Sequence, residues 1–295
     1  MGAWTGLERR RCACRLLGLL LILAATGCGT GSGLLPWAPE PTATLPPLPP
    51  TWTPAPTPTP VPADTGWQML QPGVEIRSLD VPAGGDSGDT AQIERVTVAR
   101  FDPTQVVFRV LYTPRVAYPI SVWAQRSGAL LVMTGGYFTS ENVVTGFTIS
   151  DRQSHGYRYD DFAGMFAVTE GEDVTVRWLR TWPYDASEPL REAIQSFPVL
   201  VKPGGQMGFP ADGDDGRASR RVVVAQDREG RILLLIAPRG YLSLHALAVW
   251  LAGSDLDVDT ALNLDGGTSA GFWMSEGPRV DSLIAVPSVI GVFPR

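Results

Sequence analysis

An uneven distribution of proline restricts which part of the chain can fold. Twelve of the 26 prolines lie between Pro36 and Pro62, interleaved with threonine. Such a segment buries too little apolar surface to offset the entropy of ordering, and it favours an extended polyproline II spacer. We therefore predict a Pro/Thr-rich linker over residues 29–65 and one folded domain over residues 66–295, which is long enough to bury a core.

Residues 1–28 have the pattern of a targeting segment. Four arginines between Arg9 and Arg15 precede the apolar run Leu16–Ala25, which is too short for a comfortable membrane span. The run leads through small residues to Cys28 and resembles a bacterial lipoprotein signal with Cys28 as the lipidated residue. A signal anchor is the alternative, and both interpretations predict an extracytoplasmic domain anchored to the cell membrane.

The cysteines and the net charge limit the chemistry of the predicted domain. Cys12, Cys14 and Cys28 are the three cysteines, and all of them precede the linker. The domain is therefore expected to have no disulfide and no cysteine nucleophile or metal ligand. A net charge of −6 argues against a nucleic-acid-binding surface, so we predict no nucleic-acid partner.

Short alternating apolar runs recur through the domain and predict strands. Ile93–Phe101 and Val106–Tyr112 are separated by turn residues and predict a hairpin or meander. Val222–Gln226 and Arg231–Ile236 predict a second hairpin, with a glycine late in its loop.

Three runs instead predict helices. Leu242–Leu251 has helical spacing with Ser243 as its N-cap, while Ile120–Arg126 and Pro189–Gln195 are shorter helical runs. Strands and helices do not alternate strictly. We therefore predict an α+β fold, with a mixed, largely antiparallel sheet of many short strands and a few packed helices.

The stretch Ala261–Ser269 is the strongest candidate for a functional site. It reads Ala-Leu-Asn-Leu-Asp-Gly-Gly-Thr-Ser, a half-buried strand that runs into two glycines. The glycines permit positive φ and let a ligand approach the backbone closely. One strand end thus gathers the Asp265 carboxylate, free N–H groups and two hydroxyls, which suits anion or sugar binding and acid–base chemistry. Asp-Gly-Gly alone is equally a common turn with a solvated aspartate.

Two other stretches have a related construction. Leu130–Phe138 is an apolar strand that ends in Gly135-Gly136 and continues into two aromatic residues. Ser219–Gln226 places Arg220 and Arg221 at the mouth of a β-branched strand. Because side chains alternate along a strand, these two arginines are expected to point to opposite faces, so that only one reaches a site.

Four segments in this order resemble the motifs of the phosphodiester glycosidases: Thr134–Phe138, Ser196–Leu200, Arg221–Ala225 and Leu264–Ser269. The resemblance implies hydrolysis of a sugar-1-phosphodiester at the anomeric carbon, with an N-acetylglucosamine-like sugar released and a phosphomonoester left behind. Combined with the predicted export, it implies a carbohydrate phosphodiester substrate in cell-envelope or exopolysaccharide material.

The resemblance also implies roles for individual residues. Asp265 is the implied catalytic carboxylate, as base, nucleophile or electrostatic partner, and Arg221 is the implied phosphate clamp because its planar fork matches phosphate oxygens. His245 stands where a glutamate is common in the family, and a packed or surface histidine is the alternative. The implied substrate-binding residues are Asn263, Gly266, Gly267, Thr268, Ser269, Thr134, Gly135, Gly136, Tyr137 and His245.

No cofactor is predicted. Asp212–Gly216 is interpreted as a solvated loop, although its spaced carboxylates leave a divalent cation such as calcium open. The alternative function is a non-catalytic glycan-binding or structural module of the cell surface on the same fold. An enzyme requires Asp265 and Arg221 to face one cleft, whereas a module leaves either in a salt bridge or in bulk solvent.

Overall fold

Strands make up most of the regular structure in residues 61–83 and 92–295, which the computed structural model describes. The predicted signal segment, Cys28 and residues 29–60 of the predicted linker lie outside these residues. Within them, no helix has the length and apolar character needed to cross a membrane. The helices are α1 Ile120–Ser127 and α2 Leu244–Gly253. The strands are β1 Gln68–Gln71, β2 Val74–Ala83, β3 Gln92–Phe101, β4 Val106–Tyr112, β5 Leu131–Thr134, β6 Thr148–Ser150, β7 Gln153–His155, β8 Gly164–Thr169, β9 Val174–Trp178, β10 Leu190–Ser196, β11 Val199–Lys202, β12 Gln206–Met207, β13 Ser219–Asp227, β14 Ile232–Leu242, β15 Val258–Asn263, β16 Phe272–Met274, β17 Arg279–Val280 and β18 Ser288–Pro294.

These strands form three sheets, and the pairings between them are antiparallel throughout the described residues. An eight-stranded sheet has the order β1-β2-β3-β14-β13-β15-β11-β12. Two five-stranded sheets have the orders β7-β6-β10-β8-β9 and β17-β16-β5-β18-β4. The predicted mixture of short antiparallel strands with a few helices is confirmed in broad terms, but sheets dominate it and are three in number rather than one.

The central strands of the eight-stranded sheet are buried on both faces, whereas the edge strands β1 and β12 are exposed. On one face, residues such as Val223 and Leu235 pack against Leu247 and Leu251 of α2. The opposite face packs against the two five-stranded sheets in the largest core cluster. Phe166 in this cluster comes from the sheet that contains β8, and Met133 comes from the sheet that contains β5. Helix α1 covers the outer face of the sheet that contains β5 and β18. This layering fixes β13 and β15 in the middle of the fold.

Helix α2 begins and packs as its sequence predicts. The Ser243 hydroxyl accepts a hydrogen bond from the Ala246 N–H at 3.1 Å, which satisfies one of the unpaired donors of the first turn. Leu247, Ala248 and Leu251 are buried against the sheet, as the helical spacing predicts. The helix connects β14 to β15, so its N-terminus lies at the same end of the sheet as Arg221 and Asp265.

The predicted helix at Pro189–Gln195 is wrong, because these residues form β10 between β6 and β8. Glu192, in the middle of this strand, is 1% exposed. Its carboxylate accepts hydrogen bonds from the backbone N–H groups of Val110 at 3.2 Å and Asp151 at 3.1 Å. Pairing with residues distant in sequence therefore overrides the local preference.

The predicted hairpin between Ile93–Phe101 and Val106–Tyr112 is also wrong. Strand β3 pairs with β2 and β14, whereas β4 pairs with β18 in another sheet. The chain changes sheets at Asp102, whose N–H donates to the Gly73 carbonyl at 2.9 Å. The second predicted hairpin is confirmed as β13 and β14, with Gly230 at a positive φ of 84° in its loop.

The contacts of the domain begin before residue 66. Thr65 N–H donates to the Ser78 carbonyl at 3.1 Å, and Arg95 donates to the Pro62 carbonyl at 2.8 Å. Asp64 pairs with Arg77 at 2.5 Å, and Arg77 also pairs with Asp255 at 3.0 Å. The last residues of the predicted linker are therefore part of the folded structure, which extends at least to Pro62.

Candidate active site

Arg221 and Asp265 lie at adjoining strand ends. Strands β13 and β15 are neighbours in the large sheet, and the ladder continues past β15 because Leu264 N–H donates to the Val222 carbonyl at 3.0 Å. A Cβ on Gly266 would lie 2.7 Å from the Arg220 carbonyl oxygen. Only glycine therefore lets the chain turn this close to β13 directly after Asp265.

The Gly-Gly turn after β5 meets the same point. Asp265 N–H donates to the Gly135 carbonyl at 3.1 Å, and Gly135 N–H donates to the Ser288 carbonyl at 3.1 Å. A Cβ on Gly135 would lie 2.6 Å from Ser288 Oγ, so this glycine is required by packing. Three strand ends thus converge, and the two glycine turns that the sequence singled out are in direct contact.

Asp265 is a desolvated carboxylate. Burial raises its pKa to about 6, while hydrogen bonds from the Ser269 hydroxyl and the Gly266 N–H act in the opposite direction. No cation is among the groups that shift this pKa in the described part of the chain. The side chain is therefore mostly ionised at neutral pH, yet it is stabilised only by neutral donors.

Arg221 is held by backbone carbonyls and not by a carboxylate. Its Nε donates to the Leu242 carbonyl at 3.2 Å and its Nη2 to the Arg217 carbonyl at 2.6 Å. Burial lowers the pKa of the guanidinium, and the charges of Asp214 and Asp215 oppose this shift from a distance. Within residues 61–83 and 92–295, no carboxylate oxygen lies within 4.0 Å of this guanidinium.

The neighbouring arginine points away, as strand alternation predicts. Arg220 Nη2 donates to the Asp281 carbonyl at 2.9 Å. Arg221, in contrast, lines the cleft described below. The expectation that the two arginines point to opposite faces is therefore confirmed, and only Arg221 lines the cleft.

Tyr137 lies close to both charged residues. Its pKa is raised by burial and by the Asp265 charge, whereas the Arg221 charge acts in the opposite direction. The hydroxyl donates to the Phe197 carbonyl at 3.1 Å and accepts from Asn263 Nδ2 at 2.8 Å. Asn263 is 2% exposed. It therefore holds the Tyr137 hydroxyl by a buried hydrogen bond and does not itself reach solvent.

A cleft of about 500 Å³ opens beside these strand ends. Its volume is in the range of small-molecule sites. Asp265 is not among the residues that line this cleft. Gly267, two residues further along the chain, adjoins its wall, because a Cβ on Gly267 would be 3.4 Å from Ser219 Oγ. The lining residues are Phe197, Pro198, Phe209, Gly213, Asp215, Arg217, Ala218, Ser219, Arg221 and Leu244.

His245 supports one wall of the cleft and is not part of its lining. The His245 Nδ1 atom lies 2.9 Å from the Phe209 carbonyl, and since a carbonyl can only accept, Nδ1 carries the proton. His245 N–H donates to Asp214 Oδ2 at 3.2 Å. Asp214 is therefore tied to the start of α2, whereas the other residues of the predicted solvated loop, Asp212, Gly213, Asp215 and Gly216, are exposed.

The predicted substrate contacts of Asn263, Thr134 and Gly135 are wrong, because the groups concerned are buried and already hydrogen-bonded. Thr134 is 0% exposed, and its hydroxyl donates to the Ser269 carbonyl at 2.6 Å and accepts from the Gly271 N–H at 2.9 Å. The Gly135 N–H is used by Ser288. Thr134 and Gly135 hold the second glycine turn in place.

The remaining predicted residues surround Asp265 in different ways. Ser269 is buried and its hydroxyl acts to lower the pKa of Asp265, Thr268 is exposed, and Gly267 has a φ of +59°. Gly136 is buried, and a Cβ there would lie 3.0 Å from Ile194.

Sequence reasoning missed the apolar wall of the cleft and its second arginine. Phe197 is inside a segment that the family resemblance included, so that signal was available. Phe209, Arg217 and Leu244 come from a loop and a helix start whose order in space no sequence pattern indicates. In residues 61–83 and 92–295, no three His, Cys, Asp or Glu side chains cluster in a way that could hold a metal ion.

Comparison with known families agrees with this geometry. The family model described as phosphodiester glycosidase matches residues 127–293, which is more than half of the chain and includes both glycine turns, Arg221 and Asp265. The chain belongs to the phosphodiester glycosidase family. No curated protein sequence matches it.

Solved structures show the same fold at low sequence identity. The catalytic domain of zebrafish N-acetylglucosamine-1-phosphodiester alpha-N-acetylglucosaminidase, described as auto-inhibited by its pro-peptide, is 19% identical with a TM-score of 0.60, and the match covers 77% of this chain and 86% of that one. A hypothetical protein from Synechocystis is 17% identical with a TM-score of 0.51, covering 76% and 62%. A putative exported protein from Burkholderia pseudomallei is 14% identical with a TM-score of 0.50, covering 70% and 75%.

Proposed function

We propose that the protein is an extracytoplasmic hydrolase that cleaves an N-acetylglucosamine-like sugar-1-phosphodiester at the anomeric carbon, in cell-envelope or exopolysaccharide material. One observation carries this proposal. A desolvated carboxylate, Asp265, and a half-buried arginine without a carboxylate partner, Arg221, lie at adjoining strand ends, where Arg221 lines a cleft. Family membership supplies the reaction class.

Arg221 binds the phosphodiester in this proposal. A buried guanidinium without an anionic partner is electrostatically unsatisfied, which the lowering of its pKa reflects. Two carbonyls fix its orientation and leave Nη1 free of protein hydrogen bonds among the described residues. A phosphate that enters the cleft receives a charge-assisted contact from a group that needs no reorientation. The contact strengthens as the leaving phosphate gains negative charge.

Asp265 acts at the anomeric carbon. With a pKa of about 6, it is mainly ionised at neutral pH. An ionised carboxylate can activate water, attack the anomeric carbon or stabilise the positive charge that develops there. Because the departing group is a phosphate monoester, less help from a general acid is needed than for an ordinary glycoside.

The alternative of a non-catalytic glycan-binding module is less consistent with this geometry. Neither Asp265 nor Arg221 forms an ion pair in the described residues, and neither side chain extends into bulk solvent. Keeping two unpaired charges partly buried destabilises the fold. A reaction that uses both charges explains why the fold retains them.

The test is turnover of a panel of sugar-1-phosphodiesters, followed by phosphorus NMR of the phosphomonoester released. Asp265→Asn should lower kcat by a factor of about 100 or more, the usual scale for an acid–base group. Arg221→Ala should lower kcat/KM, and Arg221→Lys should restore only part of it, because lysine keeps the charge without the fork.

Two matched variants serve as controls. Asp259→Asn lies in β15, the strand that leads to Asp265, roughly 20 Å before it at about 3.3 Å per residue. Asp259 is hydrogen-bonded to Gly204 N–H and Thr260. Arg228→Ala removes an exposed arginine at the far end of the β13–β14 hairpin. Both should leave turnover unchanged. A near-normal rate for Asp265→Asn would contradict the catalytic assignment, and binding of the panel without any cleavage would favour the module.

The location outside the cytoplasm rests on residues 1–28. Mass spectrometry of the mature N-terminus should find a lipid on Cys28. An unmodified thiol with the preceding peptide still attached would replace the lipoprotein proposal by a signal anchor.

A further inference from the structure

The cleft continues into two further hollows. The second hollow has a volume of about 320 Å³, and the third has a volume of about 290 Å³. The cleft and the second hollow share the lining residues Phe197, Pro198 and Phe209. The second and third hollows share Asp161, Ala163 and Arg180. The three hollows therefore form one groove, which begins at Arg221 and is longer than a single small ligand requires.

The lining of this groove is basic, although the chain as a whole is acidic with a net charge of −6. Five basic side chains line it against three aspartates. The basic residues are Arg158, Arg180, Lys202, Arg217 and Arg221, and the acidic ones are Asp160, Asp161 and Asp215. A cleft of one sign on a protein of the other sign attracts ligands of opposite charge.

Three of these cations lie beyond the catalytic cleft and have no ion-pair partner. Lys202 Nζ lies 5.1 Å from the ring centroid of Trp178, and the Arg158 guanidinium lies 5.3 Å from that of Tyr184. Arg180 is exposed between them. In the described residues none of the three has a carboxylate oxygen within 4.0 Å. An aromatic face orients a cation without neutralising it, so these charges remain available to an anionic ligand.

Aromatic rings border the same path. Phe197 is 39% exposed and Tyr159 is 41% exposed. Phe162 connects them, with ring centroids 4.5 Å from Phe197 and 5.2 Å from Tyr159. Partly exposed rings with an apolar face are suited to packing against the apolar faces of sugar rings. The groove thus carries both cations and partly exposed aromatic surfaces.

We propose that this groove binds the part of the substrate beyond the scissile phosphodiester, as an extended glycan chain whose repeating units carry phosphodiester groups. The inference rests on the proposed function, since the phosphate at Arg221 sets the start of the chain. Lys202, Arg180 and Arg158 then contact successive anionic groups, and the aromatic rings contact the sugars between them. The preferred substrate is accordingly a polymer and not a small glycosyl phosphate.

The experiment compares a short and a long substrate on the full-length protein. The short one is the methyl phosphodiester of N-acetylglucosamine-1-phosphate, and the long one is an oligomer of N-acetylglucosamine-1-phosphate units. The variant is Arg158→Glu/Arg180→Glu/Lys202→Glu. The matched control is Arg126→Glu, which reverses an exposed arginine of α1 that likewise lies over an aromatic ring, 4.7 Å from the centroid of Tyr118 and outside the groove.

The triple variant should raise KM for the oligomer about tenfold or more at low salt, and the difference should shrink at about 0.5 M salt, where surface charges are screened. Its kcat/KM for the short substrate should stay within about twofold of the parent, because the catalytic groups are untouched. The control should behave as the parent with both substrates.

Calorimetric binding of the oligomer to Asp265→Asn protein, with and without the three groove changes, separates this proposal from the proposed function. If the parent cleaves no substrate but the oligomer binds in a way that depends on the three groove residues, the groove proposal holds and the glycosidase proposal is refuted. Cleavage of the short substrate with no loss of oligomer affinity in the triple variant refutes the groove. Equal binding of neutral dextran, or of a single-stranded oligonucleotide with the same number of phosphates, also overturns the assignment to a phosphodiester-bearing glycan.

Discussion

Replacing Asp265 by asparagine should make the folded protein more stable while it removes activity. Burial raises the pKa of Asp265 from its usual 3.8 to about 6. Each unit corresponds to 1.36 kcal/mol between the two protonation states, so ionising this group in the folded protein costs about 3 kcal/mol. Asparagine keeps an oxygen that can accept from Ser269 and Gly266 but carries no charge.

The gain should depend on pH with a defined sign. The folded pKa lies above the unfolded one, so the native state binds more protons between about pH 4 and pH 6 and becomes less stable as pH rises through this window. The asparagine variant lacks this penalty. The difference between the two proteins should be small near about pH 4 and reach about 3 kcal/mol above about pH 7. For a domain of this size that is an increase in Tm of about 6–12 °C.

Thermal unfolding measured by calorimetry across this pH range would show the difference. Asp259→Asn in β15 provides the control, since Asp259 is already hydrogen-bonded to Gly204 N–H and Thr260 and should gain nothing. Lower stability of Asp265→Asn at about pH 8, or a gain of the same size at every pH, would refute the account of Asp265 as a carboxylate destabilised by desolvation.

Three further predictions follow from the same contacts. kcat/KM should rise with pH to a plateau, with an apparent pKa near 6, because each role proposed for Asp265 needs the ionised form; a rate that falls through this range would assign it as an acid instead. Gly266→Ala should abolish turnover, since its Cβ would lie 2.7 Å from the Arg220 carbonyl oxygen. The control Gly253→Ala, whose Cβ would have nothing within 4 Å, should leave turnover unchanged and raise the free energy of unfolding by up to about 1 kcal/mol. A chain that starts at Gly66 should be less stable in chemical denaturation than one that starts at Pro58, by about 1 kcal/mol. The shorter chain lacks the exposed Asp64 partner of Arg77 and the Thr65 backbone pairing. Equal denaturation midpoints and slopes for the two chains would show that these contacts contribute nothing.

The sequence indicated Arg221 and Asp265 through local rules combined with the family resemblance. Alternation along β13 requires that only one of two adjacent arginines faces the cleft, and the resemblance selects Arg221. A strand that ends in Gly266-Gly267 similarly marks a close approach of backbone, here against Arg220. These are short-range constraints, and the structure confirms them.

The failures come from contacts between residues distant in sequence. Thr134 has a hydroxyl beside a glycine turn, and nothing local indicates whether it faces ligand or the carbonyl of Ser269. Likewise, the strand character of β10 depends on its pairing with β6 and β8. The separation of β3 from β4 depends on which sheet each strand joins. Such choices are made by tertiary packing, which overrides local propensity.

Neutral partners explain how the site can be both ordered and reactive. Arg221 is oriented by two carbonyls, and Asp265 by a hydroxyl and an N–H. A direct ion pair between the two residues would fix them equally well, but each charge would then cancel the other before substrate arrived. The convergence of β5, β13 and β15 keeps the two groups at adjoining strand ends without such a pair. Keeping the two charges apart lowers the stability of the fold, and removing the Asp265 charge should therefore increase it. A phosphodiester brings an anion to Arg221 and should stabilise the protein when it binds.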